Sequence, residues 1–199
     1  MSRPIIAILR GVKPDEVLAI GHAILDAGIN RIEVPLNSPN PLDSIKTLAA
    51  AFGDRALIGA GTVLSLDDVK GVHQAGGKLI VSPNCDPEII SATVDLEMQS
   101  WPGIFTPTEA FAALKASANG LKLFPSDMAG PAGLKAIRAV LPKGTQVFAV
   151  GGAGPDNFDV WAAAGADGFG IGSAIYKPGD TAKTVGEKAR RIVEAFDAL

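Results

Sequence analysis

The sequence predicts a single α/β domain folded as a (β/α)8 barrel, the TIM-barrel architecture, over residues 1–199. Short apolar, β-branched runs alternate with Ala- and Leu-rich helical patterns, and each pair spans roughly 20 to 26 residues. No linker or low-complexity segment divides the chain into halves. Eight unbroken βα units fit a closed barrel or a doubly wound open sheet. The polar residues at the strand ends, described below, favour the barrel.

The individual elements follow from these two periodicities. Strands are predicted over residues 5–9, 31–35, 56–60, 78–82, 100–104, 121–124, 146–150 and 167–171. Helices are predicted over residues 12–26, 41–52, 66–75, 86–97, 107–117, 130–140, 155–164 and 181–198. The first helix has the clearest apolar face, formed by Val17, Ile20 and Ile24. The fifth strand has the least regular pattern, because Pro102 lies within it.

Composition narrows the classes of function. The chain has 47% hydrophobic and 20% charged residues and a net charge of −3, without a Lys/Arg cluster, so we expect no nucleic-acid partner. One cysteine, Cys85, excludes an internal disulfide framework and is typical of a reducing compartment. The first apolar run is short and ends at Arg10, which predicts neither a signal peptide nor a membrane span. We therefore expect a cytoplasmic protein without a membrane partner.

Three charged residues are predicted to converge inside the barrel. Successive side chains of a strand face opposite sides, so Ile32 and Val34 would meet the helices while Glu33 points inward. The same parity turns Lys122 inward and places Arg10 inside the barrel or at its rim. A buried Glu33–Lys122 ion pair with a purely structural role is the alternative, although such pairs often stabilise no more than apolar replacements do.

A lysine inside such a barrel has a clear chemical use. Apolar walls and nearby cations lower the pKa of its ammonium group, which leaves neutral amine that can attack a carbonyl. The protonated Schiff base that forms is an electron sink, and a carboxylate can move protons beside it through a water molecule. Lys122 as nucleophile and Glu33 as acid/base would together serve the aldol cleavage of a keto acid.

Glycine-rich segments end the last two strands. Gly151 and Gly152 follow the seventh strand, and Gly172 and Ser173 follow the eighth. The loops after these two strands commonly bind phosphate in barrels, through backbone N–H groups. Tight βα turns without a ligand are the alternative for each motif alone.

Other strand ends contribute weaker candidates. Thr62 could donate a hydrogen bond to a substrate carboxylate, and Pro83-Asn84 and Pro102 could shape the pocket, although each is also typical of a turn. His22 and His73 fall in outer helical patterns, and no His, Cys or carboxylate spacing predicts a metal site.

Taken together, the motifs resemble the class I aldolases that cleave 2-keto-3-deoxy-6-phospho sugar acids. The resemblance covers essentially the whole chain and is carried by Ala7-Ile-Leu-Arg-Gly11, Ile32-Glu-Val-Pro-Leu-Asn-Ser-Pro39, Ile58-Gly-Ala-Gly-Thr-Val63, Val81-Ser-Pro-Asn84, Pro102-Gly103, Thr106-Pro-Thr-Glu109, Leu121-Lys-Leu-Phe-Pro-Ser126 and Val150-Gly-Gly152. It implies a homotrimer without a metal or organic cofactor.

The resemblance also implies roles for individual residues. Lys122 would form the Schiff base and Glu33 would act as acid/base. The substrate would contact Arg10, Asn37, Thr62, Pro83, Asn84, Pro102, Phe124 and Val150, and its phosphate would bind Gly151, Gly152, Gly172 and Ser173.

Two branches of that family act on substrates that differ at C4. The gluconate branch typically has an arginine where this chain has Asn37 and a threonine where it has Val150. With Arg10 in the first strand, the chain resembles the galactonate branch, which implies cleavage of 2-dehydro-3-deoxy-6-phosphogalactonate to pyruvate and D-glyceraldehyde 3-phosphate. The gluconate epimer, or both epimers, is the alternative. A phosphosugar-binding or isomerase barrel, in which Lys122 acts only through its charge, is an alternative of another class.

Overall fold

The computed structural model describes residues 3–199 and contains alternating strands and helices. The strands are β1 (Ile5–Ile8), β2 (Arg31–Pro35), β3 (Leu57–Gly61), β4 (Leu79–Val81), β5 (Gln99–Trp101), β6 (Gly103–Ile104), β7 (Leu121–Leu123), β8 (Val147–Val150) and β9 (Gly168–Ile171). The helices are α1 (Pro14–Asp26), α2 (Pro41–Phe52), α3 (Leu66–Gln74), α4 (Pro87–Asp95), α5 (Pro107–Lys115), α6 (Ser126–Arg138), α7 (Phe158–Ala163) and α8 (Ala182–Asp197). None of the helices in this part of the chain is long and apolar enough to cross a membrane.

All nine strands belong to one parallel sheet in the order β5-β4-β3-β2-β1-β9-β8-β7-β6. The two ends of this order, β5 and β6, are consecutive in the chain and separated only by Pro102. The sheet therefore returns on itself as a nearly closed barrel, which confirms the predicted architecture.

The predicted fifth strand, 100–104, is divided at Pro102. β5 pairs with β4 and β6 pairs with β7, so the chain changes its hydrogen-bonding neighbour at this residue. Proline has no N–H to donate to a ladder, which makes it compatible with such a break. Its carbonyl oxygen still accepts a bond from the Lys122 N–H at 2.9 Å.

Side-chain parity separates two apolar layers. The larger layer lies between strands and helices and includes Ile32, Val34, Leu121 and Leu123, as the alternation predicts. A smaller cluster fills the barrel interior and consists of Ile6, Ile8, Leu79, Val81, Trp101, Phe148 and Val150. Each fully buried side chain of this size contributes about 1.5–3 kcal/mol from burial. The interior is therefore packed with apolar side chains.

Helix α6 differs from its prediction. The sequence predicts a helix over 130–140, whereas the helix begins at Ser126 and contains a kink at Gly130, whose φ is 66°. Pro131 follows this residue and cannot supply an N–H to a continuous helical ladder. The sequence pattern therefore predicted only the part of α6 that follows the kink. The first helical turn, which begins at Ser126 just after β7, was not predicted.

Candidate active site

A cleft of about 650 Å³ opens at the carboxyl ends of the strands. Its lining includes nine of the predicted site residues: Arg10, Glu33, Lys122, Phe124, Val150, Gly151, Gly152, Gly172 and Ser173. These residues come from the ends of β1, β2, β7, β8 and β9 or from the loops that follow them. The carboxyl end of a barrel is where side chains from several strands can meet one ligand.

Glu33 occupies a space that a neighbouring glycine leaves free. β2 and β3 are paired, and a Cβ atom on Gly61 would lie 1.6 Å from the Glu33 Oε2 atom. The Glu33 side chain is only 2% exposed, and its Oε2 accepts no hydrogen bond from the described residues. Burying a carboxylate oxygen without a hydrogen-bond partner costs free energy. A group bound in the adjoining cleft that donated a hydrogen bond to the Glu33 Oε2 would remove this cost.

Lys122 is held by the backbone on both sides of its strand. β7 pairs with β6 and with β8, placing Lys122 opposite Gly103 and Phe148. Its side chain is 6% exposed, and its Nζ lies 4.3 Å from the centroid of the Phe124 ring. Among residues 3–199, no carboxylate oxygen lies within 4.0 Å of this nitrogen. The predicted alternative of a direct ion pair between Lys122 and Glu33 therefore does not match the geometry.

Burial shifts both groups toward their neutral forms. It raises the pKa of Glu33 to about 7, although the charges of Lys122 and Arg10 oppose this shift. It also lowers the pKa of Lys122, an effect that Glu33 opposes and Arg10 strengthens. A lysine with a lowered pKa supplies neutral amine, and a carboxyl group with a pKa near neutrality can both accept and donate a proton. The pair can therefore perform nucleophilic and acid/base chemistry.

Arg10 lies at the rim of the cleft. Its side chain is exposed, and its Nη1 donates a hydrogen bond to the Asn37 Oδ1 at 2.7 Å. Asn37 itself is not part of the cleft lining. Asn37 thus orients a guanidinium group that remains able to bind an anionic or hydroxylated ligand.

The opposite wall is mainly backbone. Gly151 and Gly152 have φ values of 97° and 77°, a region that side-chain-bearing residues rarely adopt. The Ser126 hydroxyl and the Asp127 N–H both donate to the Gly151 carbonyl, which fixes this turn. A Cβ atom on Gly172 would meet nothing within 4 Å, so the space in front of it is open. This surface of Gly151, Gly152, Gly172 and Ser173, here called the glycine wall, can receive a ligand close to the main chain.

The remaining predicted site residues lie outside the cleft lining. Thr62 follows β3 with a φ of 56°, and Pro83 and Asn84 follow β4. The Pro83 carbonyl and the Asn84 nitrogen lie against Gly103, within 3 Å of where its Cβ would be. Pro102 is buried, and its carbonyl oxygen accepts a hydrogen bond from the Lys122 backbone N–H. Pro102 therefore borders the lysine, and Pro83 and Asn84 adjoin Gly103, which is paired with Lys122, whereas the open space extends toward the glycine wall.

Several lining residues escaped the sequence reasoning. They are Ile8, Gly11, Gly170, Tyr176, Lys177, Pro178 and the segment 153–157, together with Ala174. Most follow β8 or β9, so the rule that barrel sites use the loops after the last two strands could have identified them. In the described part of the chain, no cluster of three His, Cys, Asp or Glu side chains is placed to hold a metal ion.

A parallel barrel with a buried lysine and a buried carboxyl group in one cleft at its carboxyl end is the arrangement that a Schiff-base aldolase requires. The model of the family described as "KDPG and KHG aldolase" matches residues 1–186, and the chain belongs to that family.

Particular relatives support a finer grouping. The chain is 47% identical to the probable 2-dehydro-3-deoxy-6-phosphogalactonate aldolase of Rhizobium meliloti (strain 1021), over 100% of this chain and 94% of that protein. It is also 47% identical to the 2-dehydro-3-deoxy-6-phosphogalactonate aldolase of Escherichia coli (strain K12), over 97% of this chain and 94% of that protein.

Solved structures agree with the fold. A structure of native KDPGal is 46% identical and superposes with a TM-score of 0.98, covering 100% of this chain and 96% of that one. The KDPG aldolase of Legionella pneumophila, captured with pyruvate as a covalent carbinolamine intermediate, is 28% identical. The two structures superpose with a TM-score of 0.83, over 99% of this chain and 94% of the Legionella chain.

Proposed function

We propose that the protein cleaves 2-dehydro-3-deoxy-6-phospho-D-galactonate to pyruvate and D-glyceraldehyde 3-phosphate through a Schiff base on Lys122. The observation that carries this proposal is the separation of Glu33 from Lys122 inside one cleft, each buried and neither paired with the other. The high identity to two proteins named for this activity supports the substrate.

The first half of the reaction forms the electron sink. The neutral Lys122 amine attacks C2 of the substrate, and a proton passes from its nitrogen to the former carbonyl oxygen to give a neutral carbinolamine. Glu33 in its protonated form gives a proton to the departing hydroxyl through a water molecule, so that water leaves and a protonated Schiff base remains. A pKa near 7 suits Glu33 for both roles in turn.

The second half breaks the carbon–carbon bond. The Glu33 carboxylate accepts the proton of the C4 hydroxyl through water, and the C3–C4 bond breaks as the C4 carbonyl forms. The bond electrons move into the iminium group and give an enamine of pyruvate on Lys122. D-glyceraldehyde 3-phosphate departs, and C3 takes up the proton that Glu33 now holds, which restores the protonated Schiff base. Water then hydrolyses this Schiff base to release pyruvate and the free Lys122 amine.

The two ends of the substrate would bind different walls. We assign the pyruvyl end to the region bordered by Thr62, Pro83-Asn84 and Pro102, and the phosphate to Gly151, Gly152, Gly172 and Ser173. Phe124 packs beside the Lys122 nitrogen. Val150, which is 7% exposed, presents methyl groups to the cleft, and Arg10 held by Asn37 supplies a polar contact from the rim.

A paired kinetic assay tests the proposed substrate. Pyruvate release is measured from the galactonate and the gluconate epimers of the phosphorylated keto acid under identical conditions. We expect a higher kcat/KM for the galactonate epimer, because Val150 offers no hydroxyl group to the competing configuration. A preference for the gluconate epimer would contradict the assignment.

We further propose that the enzyme is a cytoplasmic homotrimer. The single cysteine is compatible with a reducing compartment. A groove beside α5 and α6 is lined by the exposed apolar side chains Phe105, Met128 and Val140, of which 41%, 75% and 53% are exposed. An apolar groove of this kind is what a subunit interface buries.

A further inference from the structure

Three basic side chains line the cleft, and Lys177 is the one that has neither a role in the proposed chemistry nor a side-chain hydrogen bond among residues 3–199. Lys122 lies inside the barrel, and the Arg10 guanidinium is bonded to Asn37. Lys177 lies on the segment after β9, four residues beyond Ser173. We propose that the Lys177 ammonium group binds the substrate phosphate, opposite the glycine wall, and thereby gives the enzyme its preference for phosphorylated substrates. This inference rests on the proposed function.

The backbone of Lys177 is fixed relative to the glycine wall. The N–H groups of Ile175 and Tyr176 both donate to the Gly172 carbonyl, at 2.9 and 3.1 Å, so one helical turn joins Gly172 to Tyr176. The Lys177 N–H donates to the Asp180 Oδ2 at 2.7 Å. Hydrogen bonds on both sides therefore hold the start of the lysine side chain at a constant distance from Gly172 and Ser173.

Tyr176 attaches the same segment to α1. Its ring is buried, and its hydroxyl donates to the Glu16 Oε1 at 2.9 Å. The neighbouring Pro178 lies against Gly11, in the loop that carries Arg10. The segment is thus attached to α1, and only the flexible end of Lys177 is free to move over the cleft.

The ammonium group of Lys177 has no committed partner in the described structure. Its Nζ makes no hydrogen bond or ion pair among residues 3–199. Asp180, which accepts the Lys177 backbone N–H, also accepts a hydrogen bond from the Lys188 Nζ at 2.6 Å. Asp156, another acid in the cleft lining, is paired with Arg191 at 2.6 Å. Each carboxylate is therefore paired with another cation. The hydrogen bond from Lys188 is the main cause that lowers the pKa of Asp180, and the Lys177 charge adds to it through space. The Lys177 ammonium group makes no direct bond to either acid, so it is available to a bound anion.

A phosphate group needs more than backbone donors at such an open position. The glycine wall supplies N–H dipoles without net charge, whereas the phosphate of the substrate carries nearly two negative charges near neutral pH. Hydrogen bonds to charged groups are stronger than those between neutral groups, but exposure to solvent reduces their strength. We expect the ammonium group to improve binding of the phosphorylated substrate by about tenfold.

The test compares Lys177→Met and Lys177→Arg with the unchanged enzyme on the phosphorylated keto acid and on its unphosphorylated counterpart. Lys177→Met should lower kcat/KM for the phosphorylated substrate by about tenfold, mainly through KM, and leave the unphosphorylated substrate unaffected. Lys177→Arg should keep most of the activity. Lys143→Met is the matched control, since this exposed lysine precedes β8 at the other end of the barrel. Equal losses on both substrates, or no loss on either, would overturn the inference.

Two further measurements separate this inference from the proposed function. Inorganic phosphate, used as a competitive inhibitor, should bind Lys177→Met about tenfold more weakly than the unchanged enzyme; an unchanged inhibition constant would count against the inference. Pyruvate carries no phosphate, so borohydride should attach it equally well to both proteins. If the unchanged enzyme is not labelled, the proposed function fails. If both are labelled without a difference in phosphate dependence, only the role of Lys177 fails.

Discussion

Glu33 combines deep burial with a carboxylate oxygen that has no hydrogen-bond partner. Both features disfavour its charged form, and Lys122, which lies beyond ion-pair distance, offsets them only in part through its charge. Burial of Glu33 without a partner for Oε2 lowers the stability of the fold. The same burial raises its pKa, and active sites commonly contain groups whose pKa is shifted at such a cost in stability. The price of function at this residue should be measurable as a pH-dependent loss of stability.

The first prediction concerns Glu33→Gln. The pKa of Glu33 in the folded state is about 7, above its ordinary value of 4.5, so its stabilising contribution is complete below pH 4.5 and is lost as pH rises through about 7. The glutamine variant does not titrate there. Its free energy of unfolding should therefore increase relative to the unchanged protein by about 1–3 kcal/mol between pH 4.5 and pH 8.

Urea unfolding at a series of pH values measures this difference. Glu187→Gln, on the exposed face of α8, serves as the control and should show no such trend. A constant difference between Glu33→Gln and the unchanged protein across this range would mean that Glu33 titrates normally.

Val150 supports a second prediction at the scale of one residue. Threonine has nearly the same shape as valine and adds one hydroxyl group in the cleft, at a position 7% exposed. Val150→Thr should therefore shift the ratio of kcat/KM values toward the gluconate epimer by about tenfold. Val150→Ala removes methyl groups without adding a hydroxyl and should lower both values together. An unchanged ratio in the threonine variant would remove Val150 from the determinants of specificity.

At the scale of elements, the pairing of β2 with β3 makes room for the Glu33 carboxylate, the proposed acid/base. Gly61 must lack a side chain, because a Cβ atom there would collide with the Glu33 carboxylate. Gly61→Ala should lower kcat at least a hundredfold by displacing Glu33, and should also destabilise the fold by about 1–3 kcal/mol.

The matched control is Gly186→Ala on α8, where the new Cβ would lie 3.5 Å from the Ala23 Cβ, an ordinary contact outside both the cleft and the groove beside α5 and α6. This change should leave kcat unaltered and keep or slightly raise the melting temperature. Steady-state kinetics and thermal unfolding of both variants provide the comparison. Full activity in Gly61→Ala would show that the Glu33 carboxylate can occupy another position without loss.

The elements also explain how far the sequence could lead. Alternation of side chains along β2 and β7 was sufficient to predict that Glu33 and Lys122 point inward, because strand parity depends only on local geometry. The division of the fifth strand at Pro102 depends on which neighbours pair with each half, and the kink at Gly130 depends on how α6 leaves β7. Lys177 lines the cleft because the chain turns after Gly172, and hydrophobic periodicity in the sequence does not predict the direction of such a turn.

At the scale of the whole molecule, the groove beside α5 and α6 should be buried in a trimer. Sedimentation analysis should give about 61 kDa, three times the 20.4 kDa of one chain. Met128→Glu places a charge in the groove and should shift the protein toward single chains. Leu18→Glu, on the exposed side of α1, should not. A trimer that persists in Met128→Glu would locate the interface elsewhere.

The barrel as a whole serves to bring β2 and β7, distant in sequence, to one interior, and the central claim is that Lys122 forms a Schiff base there. Incubation with pyruvate and sodium borohydride, followed by peptide mass mapping, tests this claim directly. The account predicts one carboxyethyl group on the Lys122 Nζ, and no labelling in Lys122→Met. Labelling of a different lysine, labelling that persists in Lys122→Met, or an active enzyme that is never labelled would contradict it.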